Sequence, residues 1–190
     1  MIGRSAVLIL GWTTLLTEAS AAGALPTRTF PSIQDAAPEA DIKAAFLHNF
    51  ARFAEWPDSH FPRSTEEFRM GVLGSADAAD ALQKLLKDKR IAGRALKILR
   101  GQVPADLKAC AMVYVTAPEK DQIPRLLEEF KALPILTVGE TEGFAQSGGI
   151  LNFYIDQNKV KFEINPDAAS RAGLKVTRLV GVAPRKIRER

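Results

Sequence analysis

Between Phe68 and Glu140 short apolar runs alternate with amphipathic stretches, and no other feature of the sequence restricts the fold as much. "FRMGVLGS" (68–75) reads as a strand, and Ser75 caps the helix "ADAADALQKLLKDK" (76–89) that follows. "RALKILRG" (94–101) and the richly apolar "CAMVYVTA" (110–117) read as two more strands. "PEKDQIPRLLEEFKAL" (118–133) is a helix whose first turn is disturbed by Pro124, and "PILTVGE" (134–140) is a fourth strand. Strands alternating with helices predict an α/β layer with parallel pairing at its centre.

The C-terminal third changes pattern. "GILNFYIDQNKVKFEIN" (149–165) is two strands around polar "DQNK", where Asn158 can take the left-handed conformation of a tight turn. Val160, Phe162 and Ile164 alternate with Lys161 and Glu163, which puts the two charged residues together on the outward face. Asn165 caps a short helix with Pro166 at its first position and Gly173 beyond its end. "LKVTRLVG" (174–181) is expected to be a last strand. The expected fold is therefore a single-domain mixed β-sheet flanked by α-helices, with a C-terminal β-hairpin.

Ahead of the sheet stands "DIKAAFLHNFARFAEWP" (41–57), a helix with Asp41 as N-cap and Pro57 as its stop. Ile42, Phe46, Phe50 and Phe53 share one arc of it, and Ala44, Leu47, Ala51 and Ala54 continue the apolar surface. Only His48, Arg52 and Glu55 form a polar strip. A surface helix keeps about half its circumference polar, so this one packs on the sheet or against another chain. Trp56, at its end, is the residue of this stretch best placed for exposure, and a contact with a partner and a place in the core are equal alternatives for it.

Residues 1–21 carry a positive start, "MIGR", an apolar run, "SAVLILGWTTLL", and a small-x-small "ASA" at 19–21. These are the parts of a cleaved signal peptide, and the run is short of the about 20 apolar residues of a membrane span. Residues 22–38 read as a mobile leader, 39–182 as the α/β domain and 183–190, "APRKIRER", as a basic tail. Losing residues 1–21 removes Arg4 and Glu18 together, so the net charge stays at +4. Export argues against nucleic acid as a partner despite the basic C-terminus. Cys110 is the one cysteine of the chain, which excludes an intramolecular disulfide. Its strand setting favours burial, with pairing between two copies of the chain left open.

Motifs of catalysis are scarce. "VLGSADAAD" has one glycine where the dinucleotide fingerprint needs three, and it lacks the Gly-Lys-Ser/Thr end of a phosphate loop. "SGGI" (147–150) leads into a strand and reads as a turn or bulge. The two histidines, His48 and His60, supply too few ligands for zinc. No catalytic residue, cofactor site or metal site is assigned, and a binding protein is expected. Candidate partner-binding residues are Trp56, Phe153 on the hairpin, and Glu163 with Arg171 in a polar rim beside it.

The segments "KAAFLHNFARFAEWP", "FRMGVLG", "PILTVGETEGFAQSGGILNFYIDQNKVKFEIN" and "AASRAGLKV" resemble the YfiR/HmsC family of small periplasmic regulators, over about residues 41–180. The resemblance implies a sheet flanked by helices, a periplasmic location, and repression of an inner-membrane diguanylate cyclase of the YfiN type through its periplasmic sensor region. Cyclic di-GMP and biofilm formation would fall as a result. Members are also encoded beside membrane sensor kinases, so a small-ligand sensor acting with such a kinase is the alternative. Homodimerisation stays open. The better-known members carry cysteine pairs, from which this chain departs with Cys110 alone.

Overall fold

Capping side chains fix where the helices of the domain begin. Ser75 Oγ accepts the Ala78 amide at 3.2 Å and Asn165 Oδ1 the Ala168 amide at 2.9 Å, so α2 (Ala76–Leu85) and α4 (Pro166–Arg171) start where the sequence places them. The structure, a computed structural model, describes residues 38–61, 67–116 and 122–187. The signal peptide, nearly all of the leader, residues 62–66 and 117–121 and the tail end 188–190 lie outside the described residues.

The remaining elements are α1 (Glu39–Phe53), β1 (Phe68–Leu73), β2 (Arg90–Ile91), β3 (Arg94–Gly101), β4 (Met112–Val115), α3 (Ile123–Phe130), β5 (Leu136–Gly139), β6 (Leu151–Asp156), β7 (Lys159–Ile164), α5 (Thr177–Val182) and β8 (Arg185–Lys186). The strands form one sheet in the order β2-β3-β1-β4-β5-β6-β7-β8. Pairing is parallel from β3 through β1, β4 and β5 to β6. The β6–β7 hairpin and the β2–β3 pair are antiparallel, while β8 runs parallel to β7. The fold is a mixed α/β sheet, as expected. Gln157 and Asn158 both take positive φ, 48° and 60°, which is the turn geometry that "DQNK" called for.

Successive strand residues point to opposite faces, and each face has its own cover. Met70, Val72, Tyr114, Val138, Phe153 and Phe162 belong to the larger core with α1, α2 and Leu179 of α5. Leu73, Val113 and Val115 pack on the other face with Leu107, Cys110, α3 and Phe144. Burial on both faces is what parallel strands require. Phe144 is fully buried, and a side chain at Gly139 or Gly149 would run into its ring. Two glycines of "VGETEGFAQSGG", Gly139 and Gly149, thus make room for an aromatic plug in the loop between β5 and β6.

Three expectations need correction. Asp41 does not cap α1: the helix begins at Glu39 behind Pro38, and Asp41 joins Glu39 in its first turn, where acidic groups suit the helix dipole. The helix also stops at Phe53, short of Pro57, because Glu55 turns away to exchange backbone bonds of 2.9 and 3.0 Å with Lys175. That bridge is all the strand character "LKVTRLVG" has; Thr177 onward is helix α5, which seats Leu179 in the core. In the basic tail, Arg185 and Lys186 form β8 and pair with Glu163 and Ile164.

Phe50 anchors α1 on the hairpin. Its ring lies 4.8 Å from that of Phe162, edge to face, and 5.7 Å from Phe153, stacked, while Phe46 meets Phe162 at 5.6 Å. Such pairs add about 0.5–1.5 kcal/mol each beyond burial. Phe46 is half-buried, and Phe53, expected on the same apolar arc, is 37% exposed because the helix turns its alanine and leucine side most deeply inward.

Candidate functional site

The hairpin register places Asn152 opposite Glu163 and Tyr154 opposite Lys161. All four point away from the phenylalanine core, on the face that carries Phe144. Lys161 reaches Asp156 at 2.5 Å near the turn. Glu163 does not share its exposure: it is 2% exposed, so the expected outward position is corrected to a buried one. The loop between β5 and β6 and strand β8 close over it where the sequence pattern alone showed only alternation.

Glu163 is thinly supported for a buried charge. Asn152 Nδ2 donates to Oε1 at 3.3 Å and Arg185 Nη1 donates to Oε2 at 3.3 Å. Both are at the long end for a charge-assisted bond. Arg185 sits here because β8 is in register with Glu163, and its guanidinium lies 4.4 Å from the Tyr154 ring centroid. Its own side chain is 56% exposed. The carboxylate fixes the amide of Asn152 with nitrogen toward Glu163, leaving Oδ1 buried with no partner among the described residues. With Glu140, Glu142 and Gln146 of the loop these groups line a cleft of about 310 Å³. A carboxylate taken out of water is costly unless paired and hydrogen-bonded, and here the pairing comes from one half-exposed arginine.

The other candidates lie elsewhere. Phe153 is 2% exposed, inside the core with Phe46, Phe50 and Tyr114, and offers no contact surface. Arg171 is exposed at the end of α4 and lines a different groove, with Gly148, Ala168 and Ala172. Trp56 is half-buried; its indole N–H donates to Ala111 O at 3.1 Å, and its ring meets Phe61 and Phe68 edge to face. It lines a cleft of about 590 Å³ with Arg52, Glu55 and Arg94, whose guanidinium stands 4.4 Å over Phe61. Trp56 sits against β1, on the far side of the strand order from β7, so the structure does not bring Trp56 and Glu163 together.

A third polar group escaped the sequence reading. Lys43 of α1 reaches Glu140 at 2.7 Å and Glu39 at 2.6 Å, and Tyr114 O–H donates to the same Glu140 oxygen. Burial works to lower the Lys43 pKa, but its two carboxylate partners outweigh it and the pKa is raised. The Tyr114 pKa is pushed up by burial first and by Glu140 second. This cluster ties α1 to the ends of β4 and β5. Periodicity signals apolar faces and is silent about such long-range pairs, so nothing in the sequence marked it.

Cys110 is buried at 1% exposure, and burial pushes its thiol up to about 11. His48 is half-buried, and burial, the largest influence, lowers its pKa. Among the described residues no group of three or more His, Cys, Asp or Glu side chains is placed to hold a metal, and no helix is long and apolar enough to cross a membrane.

A sequence model of a family described as YfiR/HmsC-like matches residues 40–183. No curated protein matches the chain. Among solved structures, an ABC domain in complex with L-Trp from Streptococcus pneumonia is 11% identical, with a TM-score of 0.49. A conserved domain protein from Vibrio cholerae O1 biovar El Tor is 13% identical, with a TM-score of 0.46. Each likeness covers 78% of this chain and 60% of the other. Likenesses this distant carry no information on function.

Proposed function

We propose a repressor's role for this chain, which belongs to the YfiR/HmsC-like family. That family consists of periplasmic regulators of diguanylate cyclase signalling, which act with membrane-associated signalling proteins and are not catalysts. In our reading the protein is exported by a signal peptide cleaved near Ala22. It binds the periplasmic sensor region of an inner-membrane cyclase of the YfiN type and holds the enzyme inactive. Cyclic di-GMP and biofilm formation are thereby limited.

The family match carries this reading. The cleft over Glu163 supports it as the contact surface, because it combines a buried charge, an unpartnered acceptor and an accessible mouth. Trp56 is the second candidate contact, half-open at its own cleft.

Deleting the chain should raise cyclic di-GMP and surface attachment, and only in cells that carry the partner cyclase. A deletion that leaves cyclic di-GMP unchanged but alters a response controlled by a sensor kinase would replace the cyclase by that kinase as the receptor.

A further inference from the structure

Glu163 and Asn152 together present more acceptors than the fold satisfies. One carboxylate, 2% exposed, receives two 3.3 Å bonds, and Asn152, also 2% exposed, keeps beside it an Oδ1 with no partner among the described residues. What this pair lacks is further N–H donors, since Arg185 of the same cleft reaches only Glu163. A guanidinium carries five N–H donors in one plane and can bridge a carboxylate and an amide oxygen at once, and Arg185 gives the site only one of them, through Nη1.

Arg185 is also weakly held. It belongs to β8, two residues long, tied to β7 by its register pairs and by the Ile187 amide to Ile164 O. A strand of that length at a sheet edge peels away at little cost. The aromatic floor, Tyr154, stacks with any planar cation placed over Glu163.

We infer that this cleft is the receptor for an arginine side chain of the partner, and that Arg185 fills it in cis until the partner's arginine displaces it. Charge complementarity selects the occupant: Glu140, Glu142 and Glu163 all line this cleft, and a lining with three carboxyl groups favours a cation. The inference rests on the proposed regulatory role and names the chemistry by which the partner is recognised.

The experiment uses the full mature chain and two probes, N-acetyl-arginine methylamide and its neutral citrulline counterpart, followed by calorimetry and by the Asn152 side-chain amide signals. Arg185→Ala should bind the arginine probe at least about fivefold more tightly than the wild type, because the competing group in cis is gone. Neither protein should bind the citrulline probe. Glu163→Gln, nearly isosteric, should abolish binding in the Arg185→Ala background, with melting curves to verify folding. If that double variant does not fold, the gain caused by Arg185→Ala alone still decides. Absence of that gain, or equal binding of citrulline, overturns the arginine site. If the gain is absent while Glu163→Gln abolishes repression of the cyclase, the regulatory role stands and the cleft recognises another group. If arginine binds as described while Glu163→Gln represses normally, the cation site stands and its assignment to the partner is overturned.

Discussion

Phe50 and Cys110 are both buried, yet they respond to different tests. Phe50 touches two hairpin rings and is 2% exposed. Phe50→Ala should therefore cost about 3–5 kcal/mol, measured by denaturant unfolding. Phe46→Ala should cost less, because Phe46 is only half-buried. Cys110 is held as a neutral thiol by burial, with its pKa pushed up to about 11. The folded state then binds that proton more tightly than the unfolded chain does. Its contribution to stability is fully present below the unfolded value of about 8.5 and is lost as pH rises toward 11. The melting temperature should fall across that window, and Cys110→Ser should remove part of the fall while lowering stability at neutral pH through its buried hydroxyl. Tyr114 and Lys43, both raised, act in the same direction and set the remainder. Native Cys110 should resist alkylation at neutral pH and react only on unfolding.

At the scale of elements, what was legible depended on whether the signal is local. Ser75, Asn165 and the Asn158 turn act within three or four residues of themselves, and each stands where the sequence placed it. Asn165 does more than cap, since its Nδ2 also donates to Ala145 O at 2.8 Å and so fastens the loop around Phe144 to α4. Asn165→Ala should cost about 2 kcal/mol, the upper end for a cap, because a buried carbonyl loses its donor as well. A loss within a few tenths of a kcal/mol in thermal unfolding would mean the loop holds without it. The misread elements are those decided at long range. Leu174, Val176 and Leu179 fit a short strand or a helix start equally well, and only the bridge from Lys175 to Glu55 settles which. Two-residue strands such as β2 and β8 carry no periodicity at all. For that reason the candidate site was half legible: Glu163 stood out by alternation, while Asn152 and Arg185 become its neighbours through strand register. Its burial depends on a loop and a strand that alternation cannot foresee.

For the whole molecule, the decisive variable is the compartment. A regulator outside the cytoplasm acts on a cytoplasmic nucleotide only through a membrane-spanning partner, and it does so by binding one conformation of that partner better than the other. Moving a receptor from a 1:99 to a 99:1 bias takes about 5.5 kcal/mol of differential affinity. Exchanging one arginine for another over Glu163 gains little by itself, because Arg185 already pairs with that carboxylate, so most of the difference has to come from other contacts of the interface. The protein re-expressed with residues 1–21 should restore low cyclic di-GMP in a deletion strain. The same chain started at Ala22, and so retained in the cytoplasm, should not. Intact mass of the exported form should place its N-terminus near Ala22, whereas recovery of the full-length chain from the membrane pellet would point to an anchor. Full complementation by the cytoplasmic form would remove the compartment from the mechanism, and with it the need for a membrane partner whose two conformations the protein tells apart.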